Sequence, residues 1–224
     1  KARFLPRMVS LEHAWCQGYS EPNAGSDLAS LATRATRGTN GQGEPCYIVN
    51  GSKIWTSSAQ HADWIFCLVR TDPAARKQQG ISFLLIDMRS PGLRVEPIIG
   101  IHGFHLFNQV FFDDVAVPLD QRVGDENQGW TIAKSLLEFE RLNLARVPEN
   151  RRRLAKARAI GQTALEAGRP LFDHDWFRHR FADLEVRLET LAATVPRFRQ
   201  LGESGRPPGP EAGMLKLVGS QLIQ

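Results

Sequence analysis

Gln109-Val-Phe-Phe-Asp-Asp-Val-Ala-Val-Pro118, followed after a polar link by Gly129-Trp-Thr-Ile-Ala-Lys-Ser-Leu-Leu-Glu-Phe-Glu-Arg-Leu-Asn-Leu-Ala-Arg146, decides the fold class. Gln109 to Phe112 is rich in β-branched and aromatic residues and reads as a strand. Trp130 to Arg146 holds neither Gly nor Pro and reads as a helix. The chain therefore changes character near residue 125. Upstream, short apolar runs alternate with turn signals. Leu31 to Arg37, Trp64 to Val69, Ile81 to Ile86 and Leu93 to Ile98 are predicted strands. Tyr47-Ile-Val49 and Ser52-Lys-Ile-Trp55 flank Asn50-Gly51, which predicts a hairpin with a type I′ turn. Downstream, helices are predicted from about Asn150 to Ala167 and from about Asp173 to Leu201, with Phe181, Leu184, Leu188 and Leu191 at spacings of three and four. Gly168-Arg-Pro170 separates them, and Pro196 is expected to kink or end the second. Gly202 to Pro210 reads as a loop, and Pro210 opens a further helix as its N1 residue. The fold class is thus α+β: an antiparallel β-barrel or sandwich domain, then an incomplete antiparallel helical bundle. The junction of two such domains is a common place for a ligand cleft.

The bulk numbers narrow the functions. The 224 residues are 42% hydrophobic and 23% charged, as in an ordinary globular protein. No run reaches the ~18–20 apolar residues of a membrane span, and no signal peptide opens the chain. Lys1-Ala-Arg-Phe-Leu-Pro-Arg7 reads as mid-protein text, so the chain is expected to be an internal piece. The net charge of +4 is scattered, and Arg151-Arg152-Arg153 reads as a solvated helix face, which disfavours a nucleic-acid binder. Cys16, Cys46 and Cys67 are too widely spaced for a zinc site, and reduced thiols in a cytosol are expected. His102, His105, His174 and His179 do not form a ligand cluster.

Three segments could carry chemistry. In Gln17-Gly-Tyr-Ser-Glu-Pro-Asn-Ala-Gly-Ser-Asp27, Gly25 and Ser26 would let backbone N–H groups and a hydroxyl approach a ligand closely, or the segment is a plain surface loop. In Lys53-Ile-Trp-Thr-Ser-Ser58, Trp55 could cover a planar ring while Thr56 and Ser57 bond its edge, or Trp55 is a core residue before a polar turn. On the predicted helix, Ala133, Leu137, Glu140 and Leu144 share one face. Glu140 therefore sits on an apolar stripe, where desolvation would raise its pKa toward that of a general base, unless it pairs with a cation at a helix seam. Glu138 and Arg141 lie off the stripe, close enough to pair.

Taken in order, these segments resemble the acyl-CoA dehydrogenase family. Ser20-Glu-Pro-Asn-Ala-Gly-Ser-Asp27 is similar to its first signature. Tyr47-Ile-Val-Asn-Gly-Ser-Lys-Ile-Trp-Thr-Ser57 is similar to the next. Gln109 to Pro118, then Val123-Gly124 and Gly129-Trp130, resembles the passage from its middle β domain into its C-terminal four-helix bundle. The resemblance implies that residues 1–13 end an N-terminal helical domain, 14–125 form the flavin- and acyl-CoA-binding β domain, and 126–224 form a truncated helical domain. It implies FAD bound by Gln17, Gly18, Tyr19, Ser20, Ser26, Trp55, Thr56 and Ser57, with Ser57 near the reactive N5 edge. Ser26, Glu138 and Arg141 would contact acyl-CoA. Glu140, directly before Arg141, matches the family pattern that places the catalytic base on the first helix of the bundle. The implied reaction is α,β-dehydrogenation of an acyl-CoA thioester: Glu140 takes the α-proton, hydride passes to the flavin, and electrons leave to an electron-transfer flavoprotein. Implied too are a homodimer, homotetramer or heterotetramer and a bacterial cytoplasmic setting. The family's Arg-x-x-Phe-Gly segment is missing, with Arg169-Pro-Leu-Phe172 nearby instead, so FAD contacts across a dimer are in doubt. Residues 154–224 look closer to a bacterial subgroup with pimeloyl-CoA and steroid side-chain dehydrogenases, some built of two different subunits. Two alternatives accompany this reading: a non-catalytic partner subunit, and an oxidase on the same fold.

Overall fold

The computed structural model describes residues 1–204 and 209–224, and all their side chains except those of 141, 142, 202 and 203. The chain forms two compact units, Lys1–Ala133 and Lys134–Gln224. In the first, a short helix α1 (Leu5–Val9) precedes strands β1 (Trp15–Gly18), β2 (Arg34–Thr39), β3 (Pro45–Lys53), β4 (Trp64–Arg70), β5 (Ile81–Asp87), β6 (Leu93–Ile99), β7 (His105–Pro118) and β8 (Arg122–Val123). They form one sheet in the order β6-β7-β3-β2-β4-β5-β8, with β1 added to β4. The sheet is sandwich-like rather than a closed barrel. Most pairings are antiparallel, as the short apolar runs imply. The exceptions among the described residues are β1, which lies parallel to β4 through the register Trp15↔Trp64 to Gly18↔Cys67, and two parallel bridges, Arg34↔Arg70 and Ile81↔Gln128. The sheet is thus mainly antiparallel with a parallel edge.

The core holds Tyr47, Val49, Ile65, Cys67, Leu84, Ile86, Val110 and Val115, all essentially inaccessible. β4 and β5 are buried along nearly their whole length, which is why their sequences are continuous apolar runs without alternation. The three cysteines are buried and free. Burial pushes the Cys16 and Cys67 thiols up to about 12 and about 11.

Asn50-Gly51 does not form the hairpin that its sequence suggests. β3 runs straight through it as one strand, with a bulge between Val49 and Gly51 where it faces β7. Gly51 has φ +142°, and a Cβ there would lie 2.7 Å from Thr33 Cα. The Asn50 side chain is spent across the sheet: Nδ2 donates to Asp114 Oδ1 at 2.9 Å, and Oδ1 accepts from the Asp114 N–H at 3.0 Å. The true hairpin joins β2 to β3 over Asn40–Glu44, whose turn is closed by Asn40 Oδ1 accepting from the N–H groups of Gln42 and Glu44. The strand expected from Leu31 begins at Arg34, because Leu28–Ser30 is a 3₁₀ turn.

Helix α2 (Gly129–Asn143) spans the boundary of the units. The second unit adds α3 (Val147–Thr163), α4 (Asp175–Glu203) and α5 (Gly213–Ile223), with a small hairpin of β9 (Leu165–Glu166) and β10 (Arg169–Pro170) at the Gly168 break. The helices are antiparallel: Arg151 pairs with Glu189 while Arg158 pairs with Glu185, and Leu191 of α4 packs on Leu215 of α5. Asn150 ties the unit together, its buried Nδ2 donating to the carbonyls of Ala145 and Gly219. Pro196 neither ends nor splits α4, which continues to Glu203. Of the expected loop from 202 to 210, residues 205–208 lie outside the described residues. Pro210 opens a 3₁₀ turn that leads into α5.

Candidate functional site

β1 delivers Gln17 and Gly18 to the sheet end, and the chain then turns through Tyr19 and Ser20. From the other side, β3 leaves the sheet at Lys53 and turns sharply through Ile54-Trp55-Thr56. The two exits are joined by the Ile54 N–H, which donates to the Ser20 carbonyl at 2.8 Å. The second turn holds two non-glycine residues in the left-handed region, Trp55 at φ +60° and Ser58 at φ +58°, a strain that persists only under support from the surroundings. Asn108 of β7 gives that support. It exchanges backbone hydrogen bonds with Thr56 at 3.0 Å each way, and its side chain donates to the Thr56 carbonyl at 3.0 Å and to Gln60 Oε1 at 2.6 Å.

Between the turns lies a cavity of about 410 Å³. Its aromatic wall is Trp15, Tyr19, Trp55 and Phe66; Cys16 and Ile54 add apolar surface; Gln17, Ser20 and Ser57 bring hydrogen-bonding groups. Tyr19 stands edge-on to Phe66 and Phe83, which lie parallel at 5.9 Å. Trp55 is 57% exposed, its ring edge-on to Phe107 at 6.0 Å. Gly18 is buried behind the wall, where a Cβ would come within 2.7 Å of Ile65 Cδ1. Thr56 is buried beside the cavity, and its Oγ1 has no partner among the described residues. A flat heteroaromatic ring with polar edge atoms suits such a lining, so these residues fit a flavin.

Five of the residues singled out from sequence, Gln17, Tyr19, Ser20, Trp55 and Ser57, therefore share one cavity. Ser26 does not join them: it is exposed, two residues past the turn closed by the Glu21–Ala24 backbone pair. Glu138 and Glu140 belong to the second unit, and the side chain of Arg141 lies outside the described residues. The desolvation expected of Glu140 is corrected. Glu140 is exposed, because beyond Ala133 no residue of α2 as far as Glu140 is fully buried, and Leu136 and Phe139 are themselves exposed. The histidines have local roles: His105 bonds Asn108, and His174 bonds the Glu166 carbonyl. No cluster able to hold a metal exists among the described residues.

Sequence reasoning missed the ion pair behind this wall. Lys53 is fully buried, with Nζ 2.7 Å from Glu21 Oε1 and 3.2 Å from the Tyr19 carbonyl. The signal was present. Lys53 lies at even spacing from the inward Tyr47 and Val49, and an inward lysine demands a carboxylate.

Comparison with known proteins agrees with this geometry. The family model of the acyl-CoA dehydrogenase middle domain matches residues 16–115, and that of the C-terminal domain matches 127–224. Acyl-CoA dehydrogenase FadE34 of Mycobacterium tuberculosis is 38% identical over 99% of this chain and 30% of its own length. Two solved structures superpose closely. One, titled "Tcur3481-Tcur3483 steroid ACAD", has a TM-score of 0.85 at 31% identity over 99% of this chain and 55% of that one. The other, the ChsE4-ChsE5 complex from Mycobacterium tuberculosis, has a TM-score of 0.81 at 34% identity over 98% and 55%. The chain thus spans from under a third to just over half the length of these relatives. With both domain models matched in order over a cavity built from the family's own signature segments, the chain belongs to the acyl-CoA dehydrogenase family.

Proposed function

We propose that this chain supplies the flavin-facing β domain and the base-bearing helix of an FAD-dependent acyl-CoA dehydrogenase. The observation that carries this reading is the convergence of two distant segments, Gln17–Ser20 and Ile54–Ser57, on one aromatic-walled cavity. Tyr19 and Trp55 offer flat apolar surface to the ring. Gln17, Ser20 and Ser57 offer hydrogen bonds to its polar edges, and Thr56 Oγ1 offers an unused one nearby. When bound, FAD would accept a hydride from the β-carbon of the thioester. Glu140 takes the α-proton, for which its place directly before Arg141 on α2 speaks. Ser26, Glu138 and Arg141 contact the CoA portion, and reduced equivalents leave to an electron-transfer flavoprotein. Likeness to the Tcur3481-Tcur3483 and ChsE4-ChsE5 structures favours assembly from more than one kind of subunit, and likeness to the first, a steroid ACAD, favours a bulky, steroid-like acyl group.

The test is a visible spectrum of the purified holoprotein before and after anaerobic addition of linear, branched and steroid side-chain acyl-CoA esters. Flavin bands that bleach with one class are expected. Glu140→Gln should keep the bands and slow the bleaching about 10²–10⁴-fold. A colourless protein that FAD cannot reconstitute sinks the reading, and normal bleaching by the variant sinks the base assignment.

A further inference from the structure

Two charges buried together are expensive to desolvate, and an apolar pair of similar volume often holds a core as well or better. Lys53 and Glu21 are 0% and 8% exposed, and both carboxylate oxygens of Glu21 and the ammonium of Lys53 are hydrogen-bonded. Glu21 Oε1 accepts from the Thr33 N–H at 2.9 Å as well as from Lys53, and Oε2 accepts from the Ala32 N–H at 2.6 Å. Burial pushes the Glu21 carboxyl up, but the charge of Lys53 and the bonds from Lys53, Thr33 and Ala32 outweigh it and hold the group below the usual carboxylate range. The third partner of the pair is the Tyr19 carbonyl, which accepts from Lys53 Nζ. No peptide bond among the described residues is cis, the Tyr19–Ser20 bond included. A planar trans peptide whose carbonyl is turned to Lys53 turns its N–H, that of Ser20, to the opposite side. Ser20 lines the cavity, and its own carbonyl is held by the Ile54 N–H. Both peptide planes around Ser20 are thereby fixed.

We infer that Lys53, held by Glu21, is a positioning residue of the flavin site: its ammonium orients and polarises the Tyr19–Ser20 peptide so that the Ser20 N–H is a fixed, strengthened donor to the ring's polar edge. A carbonyl bonded to a cation makes its own amide hydrogen more acidic, and in a low-dielectric wall that effect is not screened away. The inference rests on the flavin reading above.

The experiment compares wild-type holoprotein with the double variant Lys53→Met/Glu21→Gln, in which no buried charge is left unpaired. A merely structural pair predicts that the double variant melts near wild type and binds flavin as wild type does. The positioning role predicts that it melts near wild type yet binds FAD about tenfold or more weakly, with an altered visible circular dichroism of the bound flavin. A folded double variant with wild-type affinity and an unchanged flavin spectrum overturns the inference. Should the variant not fold, the wild type decides alone. Tyr-Ser occurs once in these 224 residues, so tyrosine labelled with ¹³C at the carbonyl and serine labelled with ¹⁵N mark the Tyr19–Ser20 peptide. Its amide resonance should shift when FAD is added to stripped protein, and an unmoved resonance overturns the inference. Wild-type protein that takes up no FAD overturns the flavin reading, and this inference with it, whereas failure in the variant or at the resonance leaves the flavin reading standing.

Discussion

At position 18 a side chain would crowd its neighbours. A Cβ would meet Ile65 Cδ1 at 2.7 Å, Ile65 Cγ1 at 3.1 Å and Cys67 Sγ at 3.2 Å, all on the neighbouring strand β4. Gly18→Ala is expected to destabilise the protein by about 1–3 kcal/mol through overpacking and to weaken the proposed flavin uptake, since β1 carries Gln17 and leads directly into Tyr19. Thermal melting checks the first effect; an unchanged midpoint means that Ile65 swings aside without penalty. Single residues were the level at which the sequence was most legible. Trp55 and Ser57 both line the cavity, on a strand exit where the sequence sets an aromatic group before hydroxyls. Thr56 is buried next to the cavity without lining it. Ser26 was legible only as a turn residue, and it stays on the surface. The Lys53–Glu21 pair joins positions 32 residues apart, and no local pattern says which carboxylate an inward lysine will find.

At the scale of elements, β4 and β5 match the predicted runs to within a residue, because burial on both faces leaves an unmistakable apolar string. The Asn50-Gly51 turn failed for a physical reason. The same dipeptide that closes a type I′ hairpin also supplies the positive φ of a bulge, and long-range pairing of β3 with β7 chose the bulge. Gly51→Ala is accordingly expected to cost about 1–3 kcal/mol, at a position where an ordinary strand glycine would gain from the change. Chemical denaturation of the two proteins measures it, and a stabilised variant would mean that the bulge is not required. Helix α4 shows the converse: Pro196 sits on an exposed face and is tolerated inside a long helix that packing on α3 and α5 holds in place.

Across the whole molecule, the charges set a pH range. Glu126 is held low first by the Tyr47 hydroxyl, at 2.5 Å, and then by Arg37 and Arg122. Asp87 is raised by burial but held low on balance by Arg89, and Glu21 likewise by Lys53. A carboxylate with a depressed folded pKa adds stability above its unfolded pKa, near 4.3 for Glu, and that stability is lost as pH falls through the folded value. The raised thiols act at the other end: their contribution is whole below about 8.5 and is lost as pH rises toward 11 to 12. Melting temperature should thus be level from about pH 5 to 8, fall below about 4 and fall again above about 9. A midpoint that rises on acidification contradicts the assignment of these carboxylates. The change from strands to helices was legible at this scale because the period of the apolar residues changes with it. The parallel seating of β1 on β4 was not, because nothing in a four-residue strand announces the direction of its neighbour.

The closed surroundings of Lys53 have a chemical consequence. Thioesters acylate free amines, and a protein that handles them exposes its own lysines to that side reaction. An amine attacks through a nitrogen lone pair. In the Lys53 ammonium that pair is bound to a proton, two of its N–H groups donate to Glu21 and to the Tyr19 carbonyl, and the side chain has no accessible surface. The cation behind the cavity wall is therefore also an amine closed to acylation.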